Sequence, residues 1–280
     1  MSKNYQKNFR HHSKTFSFAA RFFGKRRAED IAKLYYFFRH VDDIADGNTG
    51  SSSEKESAIK NALKLTELKD IQAQFNIPND VIDHFIKFSI EDISFETMEN
   101  KKALFSYCYG VASTVGLSMC HLLGIRDKRA FYHAIDLGIA MQLTNICRDI
   151  CEDYENNRIY LPELSKKILE DNDQKKIHSI QLEYLNIADS YYASGFRGLR
   201  YLPLRARFVI FVAAKLYQKI GLVIKKTNNY KIRSFLSGLN KFKTVVMCIP
   251  EFILANTSRS PLTHQRILHS EITNLPYAHV

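Results

Sequence analysis

Long apolar runs are missing from this 280-residue chain. The nearest, Phe208 to Ile224, is broken by Lys215 and Lys219, and a bilayer span needs about 18–20 apolar residues. The first residues, Met1-Ser2-Lys3-Asn4-Tyr5-Gln6-Lys7, lack an apolar core, so no secretory signal is expected. Cysteine is sparse. The five, Cys108, Cys120, Cys147, Cys151 and Cys248, are an odd number and form no CxxC. Cys147 and Cys151 stand four apart without a His/Cys quartet, which reads as packing and not zinc. Unpaired thiols fit a cytoplasmic protein. Neither zinc-finger spacing nor an aromatic RNP pattern occurs, so nucleic acid is not expected as a partner. Low-complexity tracts, fixed-period repeats and strand-like alternation are absent or scarce.

What is present is a hydrophobic share of 45%, enough for a large core, and an excess of base. Lys and Arg total 40 against 29 Asp and Glu, giving a net charge of +11. Such a surface suits anionic lipid, nucleic acid or phosphorylated substrates, or simply keeps the chain soluble. Helical periodicity dominates. From Arg26 to Ala45 the apolar residues Ile31, Leu34, Tyr35, Phe38, Val41 and Ala45 form one stripe. A Gly/Ser loop follows at 47–53, and Ser53-Glu54-Lys55-Glu56 reads as a capping box opening the next helix. Further breaks fall at 76–80, 124–128, 155–162, 171–173, 195–203 and 226–230. The expectation is one all-α domain over 1–255, then a loosely ordered tail over 256–280.

Two segments carry chemistry. Asp42 and Asp46 stand four apart after Arg39, and Asp149 and Asp153 stand four apart after Arg148. On a helix such residues share a face, and like charges there cost stability unless a cation neutralises them. Two such pairs facing one cavity would hold Mg²⁺, a hard ion that takes carboxylate oxygens and bridges to phosphates. In the second segment Gly138, Gln142, Asn145, Asp149 and Asp153 lie on one face of an otherwise apolar helix. Polar side chains are costly against a dry core, so the stripe reads as a site lining. Arg158 and Tyr160 follow where that helix ends. Ser13 and Lys14 offer a hydroxyl and an ammonium near the N-terminus. The stretch 105–116 is aromatic, then rich in small residues, and its Tyr faces could steady a carbocation.

Assembled, these residues resemble the squalene/phytoene synthase family. His12-Ser13-Lys14-Thr15-Phe16, Tyr36 through Asp46, Tyr107 through Gly116 and Gln142 through Pro162 are each similar to a family motif, with Ser113 where the family usually has Gly. The resemblance implies an isoprenoid synthase fold around a central cavity. It implies Mg²⁺, or Mn²⁺, at Asp42, Asp46, Asp149 and Asp153 with Asn145 beside them. It implies diphosphate contacts from Ser13, Lys14, Arg39, Arg148 and Arg158. Tyr36, Tyr107, Gln142, Asn145, Tyr160 and Tyr217 would line the cavity, and Arg233 and Lys241 look like a late basic pair. The implied reaction ionises one prenyl diphosphate and joins it 1–1′ to a second. The segments 39–43, 202–208 and 213–221 look most like bacterial phytoene synthases, which join two C20 geranylgeranyl diphosphates via prephytoene diphosphate. The alternatives are a C15 user making dehydrosqualene, presqualene diphosphate or squalene, or a non-catalytic assembly factor on the same fold. No Gly-rich dinucleotide loop is seen, so NADPH is not expected. A water-insoluble product and the basic charge imply peripheral attachment to the cytoplasmic face of a membrane.

Overall fold

The computed structural model describes residues 25–47, 49–227, 229–231, 233–257 and 263–279. They form α1 (Lys25–Asp46), α2 (Ser52–Ala62), α3 (Thr66–Phe75), α4 (Asn79–Glu91), α5 (Lys101–Cys108), α6 (Thr114–Leu122), α7 (Lys128–Glu155), α8 (Lys166–Glu170), α9 (Gln174–Gly198), α10 (Leu204–Lys226) and α11 (Gly238–Thr257). The fold is all-α. Among the described residues the sole extended pairing is one parallel bridge, Thr97 to Ile159.

Two apolar cores meet. The smaller packs one stripe of α1, including Leu34, Phe38, Val41 and Ala45, against α2, α3 and α4. The larger surrounds α7, whose Ile135, Ile139, Leu143, Ile146 and Ile150 are buried. Helix α9 runs alongside α7, while α6, α10 and a π-helical turn at Tyr109–Ser113 close its other sides. Gly138 permits the last of these contacts. A Cβ there would stand 2.7 Å from the Ser113 Cα. Ser113 itself is buried and donates its hydroxyl to the Ile135 carbonyl at 2.8 Å, which accommodates a polar side chain where the family usually has Gly.

Three expectations are corrected by the packing. The capping box that opens α2 is Ser51 with Glu54, two residues before the reading centred on Ser53. The segment long and apolar enough to cross a membrane is Lys101–Leu122, not 208–224. It is a core element here, with Leu104, Phe105, Cys108, Tyr109 and Leu117 buried. The end of the chain is not loose over 263–279. Its Ile272, Leu275 and Ala278 are buried, Tyr109 donates its hydroxyl to the Pro276 carbonyl at 2.7 Å, and Tyr191 donates to the Leu268 carbonyl. Sparse apolar residues without helical period anchor it, which is why periodicity does not reveal it.

Candidate active site

Helix α7 is a rail about 42 Å long, at 1.5 Å per residue. Asp127 caps its start, accepting the Arg129 amide at 3.0 Å. The apolar side buries into the large core, so the opposing stripe of Gln142, Asn145, Asp149 and Asp153 is left facing a cavity of about 310 Å³. Asn145 donates to Gln142 Oε1 at 3.3 Å, and its own Oδ1 is buried without a partner. Asp42 and Asp46, at the end of α1, face the same cavity from the other core.

The end of α7 places the next two groups. Asn157 takes a left-handed conformation (φ 61°), and the Arg158 amide turns back to the Asp153 carbonyl at 2.8 Å. Ile159 then pairs with the chain at 96–98, donating to the Glu96 carbonyl at 2.7 Å and accepting from the Met98 amide at 2.9 Å. This clip holds Arg158 across the cavity. Its Nη1 lies 3.0 Å from Asp46 Oδ1 and 3.4 Å from Asp92 Oδ2. Tyr160 donates to Asp92 Oδ1 at 2.8 Å, and its ring clusters with those of Phe95 (4.7 Å) and Tyr107 (5.0 Å), which are 6.3 Å from each other. One wall of the cavity is therefore aromatic.

The charges are not balanced evenly. Asp149 is held by two arginines: Arg148 Nε at 2.8 Å and Arg233 Nε at 2.7 Å, while Arg233 also reaches Glu152 at 2.6 Å. Asp42 and Asp153 are poorly compensated. The Asp42 side chain lines the cavity and keeps 53% of its surface exposed, so burial acts on it only in part. Burial pushes its carboxyl up to about 7, Asp46 adds to the rise, and Arg39 opposes it. Burial and the Asp149 charge push Asp153 up to about 8, against Arg158. Asp92 is also raised by burial, with Arg158 and Tyr160 opposing. Burial works against the Arg158 charge, but Tyr160, Asp92 and Asp46 outweigh it and raise its pKa. A cluster of carboxyls held above their ordinary range, beside an orphaned amide oxygen, is the donor set of a hard divalent cation.

Of the residues singled out in the sequence, the structure gathers Asp42, Asp46, Tyr107, Gln142, Asn145, Arg148, Asp149, Asp153, Arg158 and Tyr160 around this cavity. Arg233 reaches it through Asp149. Others stand apart. Arg39 pairs with Asp42 at 3.3 Å and Asp43 at 2.7 Å, outside the lining. Tyr36 stacks on His40 at 5.7 Å, away from the cavity, because its position on α1 is one residue off the Asp42–Asp46 stripe. Tyr217 packs on α10 against the large core. Lys241 is exposed on α11 and does not line the cavity. Ser13 and Lys14 lie outside the described residues. Asp92 is the residue sequence reading missed. It follows α4 in a 3-10 turn, far in sequence from either acidic pair, and its one signal is a carboxylate at the end of an apolar helix.

The sequence profile described as squalene/phytoene synthase matches residues 9–237. A 15-cis-phytoene synthase of Enterobacter agglomerans is 30% identical over 281 aligned positions, covering 88% of this chain and 94% of that protein. A 4,4'-diapophytoene synthase of Staphylococcus haemolyticus is 27% identical, covering 87% and 95%. The crystal structure of a dehydrosqualene synthase in complex with ligand superposes with a TM-score of 0.75 at 23% identity, over 90% of this chain and 96% of that one. That last likeness is one of fold.

Proposed function

The chain belongs to the squalene/phytoene synthase family, and we propose that it joins two geranylgeranyl diphosphates head to head into phytoene, through prephytoene diphosphate and with release of both diphosphates. The observation that carries this is the convergence of Asp42, Asp46, Asp149 and Asp153 on one cavity with Arg158 spanning it. The carboxylates and the unpartnered Asn145 Oδ1 would hold Mg²⁺, with Mn²⁺ as the alternative. When bound, the ion supplies positive charge beside the departing diphosphate. Arg148, Arg158 and Arg233 neutralise carboxylates in the free protein, and they stand ready to exchange them for diphosphate oxygens. Tyr107 and Tyr160, backed by Phe95, offer aromatic lining to an allylic cation, and the apolar Ala45, Val111 and Ile146 keep water from it. No reductant is required.

Incubating purified protein with Mg²⁺ and either C15 or C20 prenyl diphosphate, then extracting the lipid, tests the assignment. A C40 hydrocarbon from the C20 substrate alone is expected. A C30 product would move the protein to the C15 branch, and a product that needs NADPH would overturn the non-reductive reading. Absence of any product from both substrates would leave the assembly-factor alternative standing.

The enzyme works as a peripheral protein on the cytoplasmic face of a membrane. Three observations support this. The net charge of +11 favours anionic headgroups. The product would be a hydrocarbon whose natural sink is lipid. Helix α11 buries little beyond Cys248 and leaves Leu239, Phe242, Met247, Ile253 and Leu254 exposed. A helix apolar on most sides and covered on one is shaped to lie in an interface. Its start lies a few residues past Arg233, at the rim of the carboxylate cavity, and Phe235 between them is exposed as well.

A further inference from the structure

A second cluster of ligating side chains lies on α7, distant from the carboxylate cavity. Asp136 precedes Asp149 by thirteen residues, about 20 Å along the helix axis. Its side chain is fully buried. His264 Nε2 lies 2.8 Å from Asp136 Oδ2, and His269 Nε2 lies 3.0 Å from Asp136 Oδ1. Both histidines come from the packed segment 263–279, and both are nearly enclosed, with 4% and 1% of their side chains exposed. Burial opposes the Asp136 charge, but hydrogen bonds from His264 and His269 outweigh it and hold the carboxyl below its ordinary range.

Hydrogen-bond accounting sets a constraint. His269 Nδ1 is 3.0 Å from the Ala278 carbonyl, which can only accept, so Nδ1 carries a proton. In the neutral ring Nε2 is then a bare lone pair, and it faces a carboxylate oxygen at 3.0 Å. Two lone pairs at that distance need a cation between them: a second proton on the ring, or a metal ion. Around His269 and Asp136 the surroundings match those of a metal centre, while His264 Nδ1 is buried without a partner. A ligating histidine commonly donates its other ring N–H to a backbone carbonyl, and a ligating carboxylate is itself hydrogen-bonded. Here the Ser194 hydroxyl donates to Asp136 Oδ2, and His133 Nδ1 backs Ser194 at 2.9 Å. One donor atom from each of Asp136, His264 and His269 lies within 4.8 Å of the others. Ligands placed tetrahedrally around an ion with bonds of about 2.1 Å stand about 3.4 Å apart, so these N···O pairs, at 2.8 and 3.0 Å, would open by about half an ångström to admit one.

We propose that Asp136, His264 and His269 form a binding site for one first-row divalent transition metal ion of the zinc class, which fastens the C-terminal segment onto α7 and α9. Two imidazole nitrogens and one carboxylate favour such an ion over Mg²⁺, which prefers oxygen. The role is structural. The site stands outside the catalytic cavity, and the segment it ties down also receives the hydroxyls of Tyr109 from the π-helical turn and of Tyr191 from α9.

The test uses the full-length chain, loaded with Zn²⁺ or Co²⁺ and passed through metal-free buffer. A background carrying Asp42→Asn, Asp46→Asn, Asp149→Asn and Asp153→Asn removes the four catalytic carboxylates from the count. Elemental analysis of that background should find one ion per chain, and Asp136→Asn or His269→Gln added to it should lose that ion. Bound Co²⁺ should give the visible bands of a nitrogen-ligated ion, and the same two changes should abolish them. If those variants do not fold, the unaltered chain still decides, because the Co²⁺ bands of a nitrogen-ligated ion cannot come from the carboxylate cavity, whose lining offers oxygen donors. A loaded chain that shows no nitrogen-ligated cobalt bands overturns the proposal. The Asp136–His269 contact would then be a proton-bridged ion pair.

Discussion

Arg158 Nη1 lies 3.0 Å from Asp46 Oδ1, joining residues 112 positions apart. The contact ties the end of α7 to the end of α1, so the two acidic segments are positioned by a cation of the protein's own. That arrangement explains how four clustered carboxylates coexist in a folded chain. It also makes Arg158 the group whose loss matters on both sides of the cavity. Arg158→Met should lower turnover by about 10²–10³-fold, the usual cost of deleting one electrostatic donor at a reacting centre. Arg158→Lys should recover only part of this, since a lysine keeps the charge but lacks the planar guanidinium that matches diphosphate oxygens. Turnover within a few-fold of the unaltered enzyme in Arg158→Met would remove Arg158 from the mechanism.

Neutralising different aspartates should move metal-free stability in opposite directions. Asp153 is raised to about 8 by burial and by Asp149, so Asp153→Asn removes an uncomfortable charge. Asp149 is paired with Arg148, only 14% exposed, and with Arg233. Asp149→Asn therefore leaves a half-buried guanidinium without its partner, which costs stability. Without metal, Asp153→Asn should raise Tm and Asp149→Asn should lower it, each by about 2–4 °C for every kcal/mol involved. Both should abolish product formation. The like-charge spacing read from sequence treats the two as equivalent, and the ion pairs distinguish them. Equal Tm shifts would contradict the distinction.

Much of this site is legible in the chain because helical spacing alone puts Gln142, Asn145, Asp149 and Asp153 on one face. The lining role that the resemblance implies for Tyr36 does not come from that spacing, for Tyr36 sits on a neighbouring stripe of α1 and stacks on His40. Asp92 escapes because its partners, Arg158 and Tyr160, arrive only when the Thr97–Ile159 bridge forms. The anchoring of 263–279 escapes for a similar reason. It depends on single side chains, Ile272, Leu275 and Ala278, entering a core built by distant helices. Local pattern encodes faces of helices, not which loop a face will meet.

The metal-free protein should lose stability as pH rises. Asp42 is raised from an ordinary 3.8 to about 7, and Asp153 from 3.8 to about 8. A raised carboxyl favours its protonated form in the native state, so the native state binds more protons than the unfolded chain between 3.8 and 8. The stabilisation is complete below the unfolded value and is lost as pH climbs through 7 and then 8. Tm measured in chelator should fall between about pH 4 and about pH 8 and level off above, while Mg²⁺ should raise Tm more at the alkaline end, where the carboxylates are ionised. A flat chelated profile, or a larger Mg²⁺ effect at the acidic end, would contradict this sign.

Helix α11 gives the membrane reading its sharpest test. Charge attraction alone is screened, with a Debye length of about 3 Å at 1 M salt, so a purely electrostatic attachment should wash off. Exposed Phe242, Met247 and Ile253 are available for burial below the headgroups, and apolar insertion does not respond to salt in that way. Binding to anionic liposomes should therefore be strong at low salt and retained in part at high salt. Phe242→Ser combined with Ile253→Ser should abolish the salt-resistant fraction. It should leave Tm nearly unchanged, because both side chains are already exposed, at 66% and 59%. Activity in detergent should persist in this variant, while activity on liposomes should drop, since delivery of substrate and release of product would both need the interface. Flotation in a density gradient at the two salt levels reads the first effect, and product assays in detergent and vesicles read the second. If the unaltered protein does not float even at low salt, the membrane assignment falls. If the double variant floats like the unaltered protein at high salt, α11 is not the inserting element.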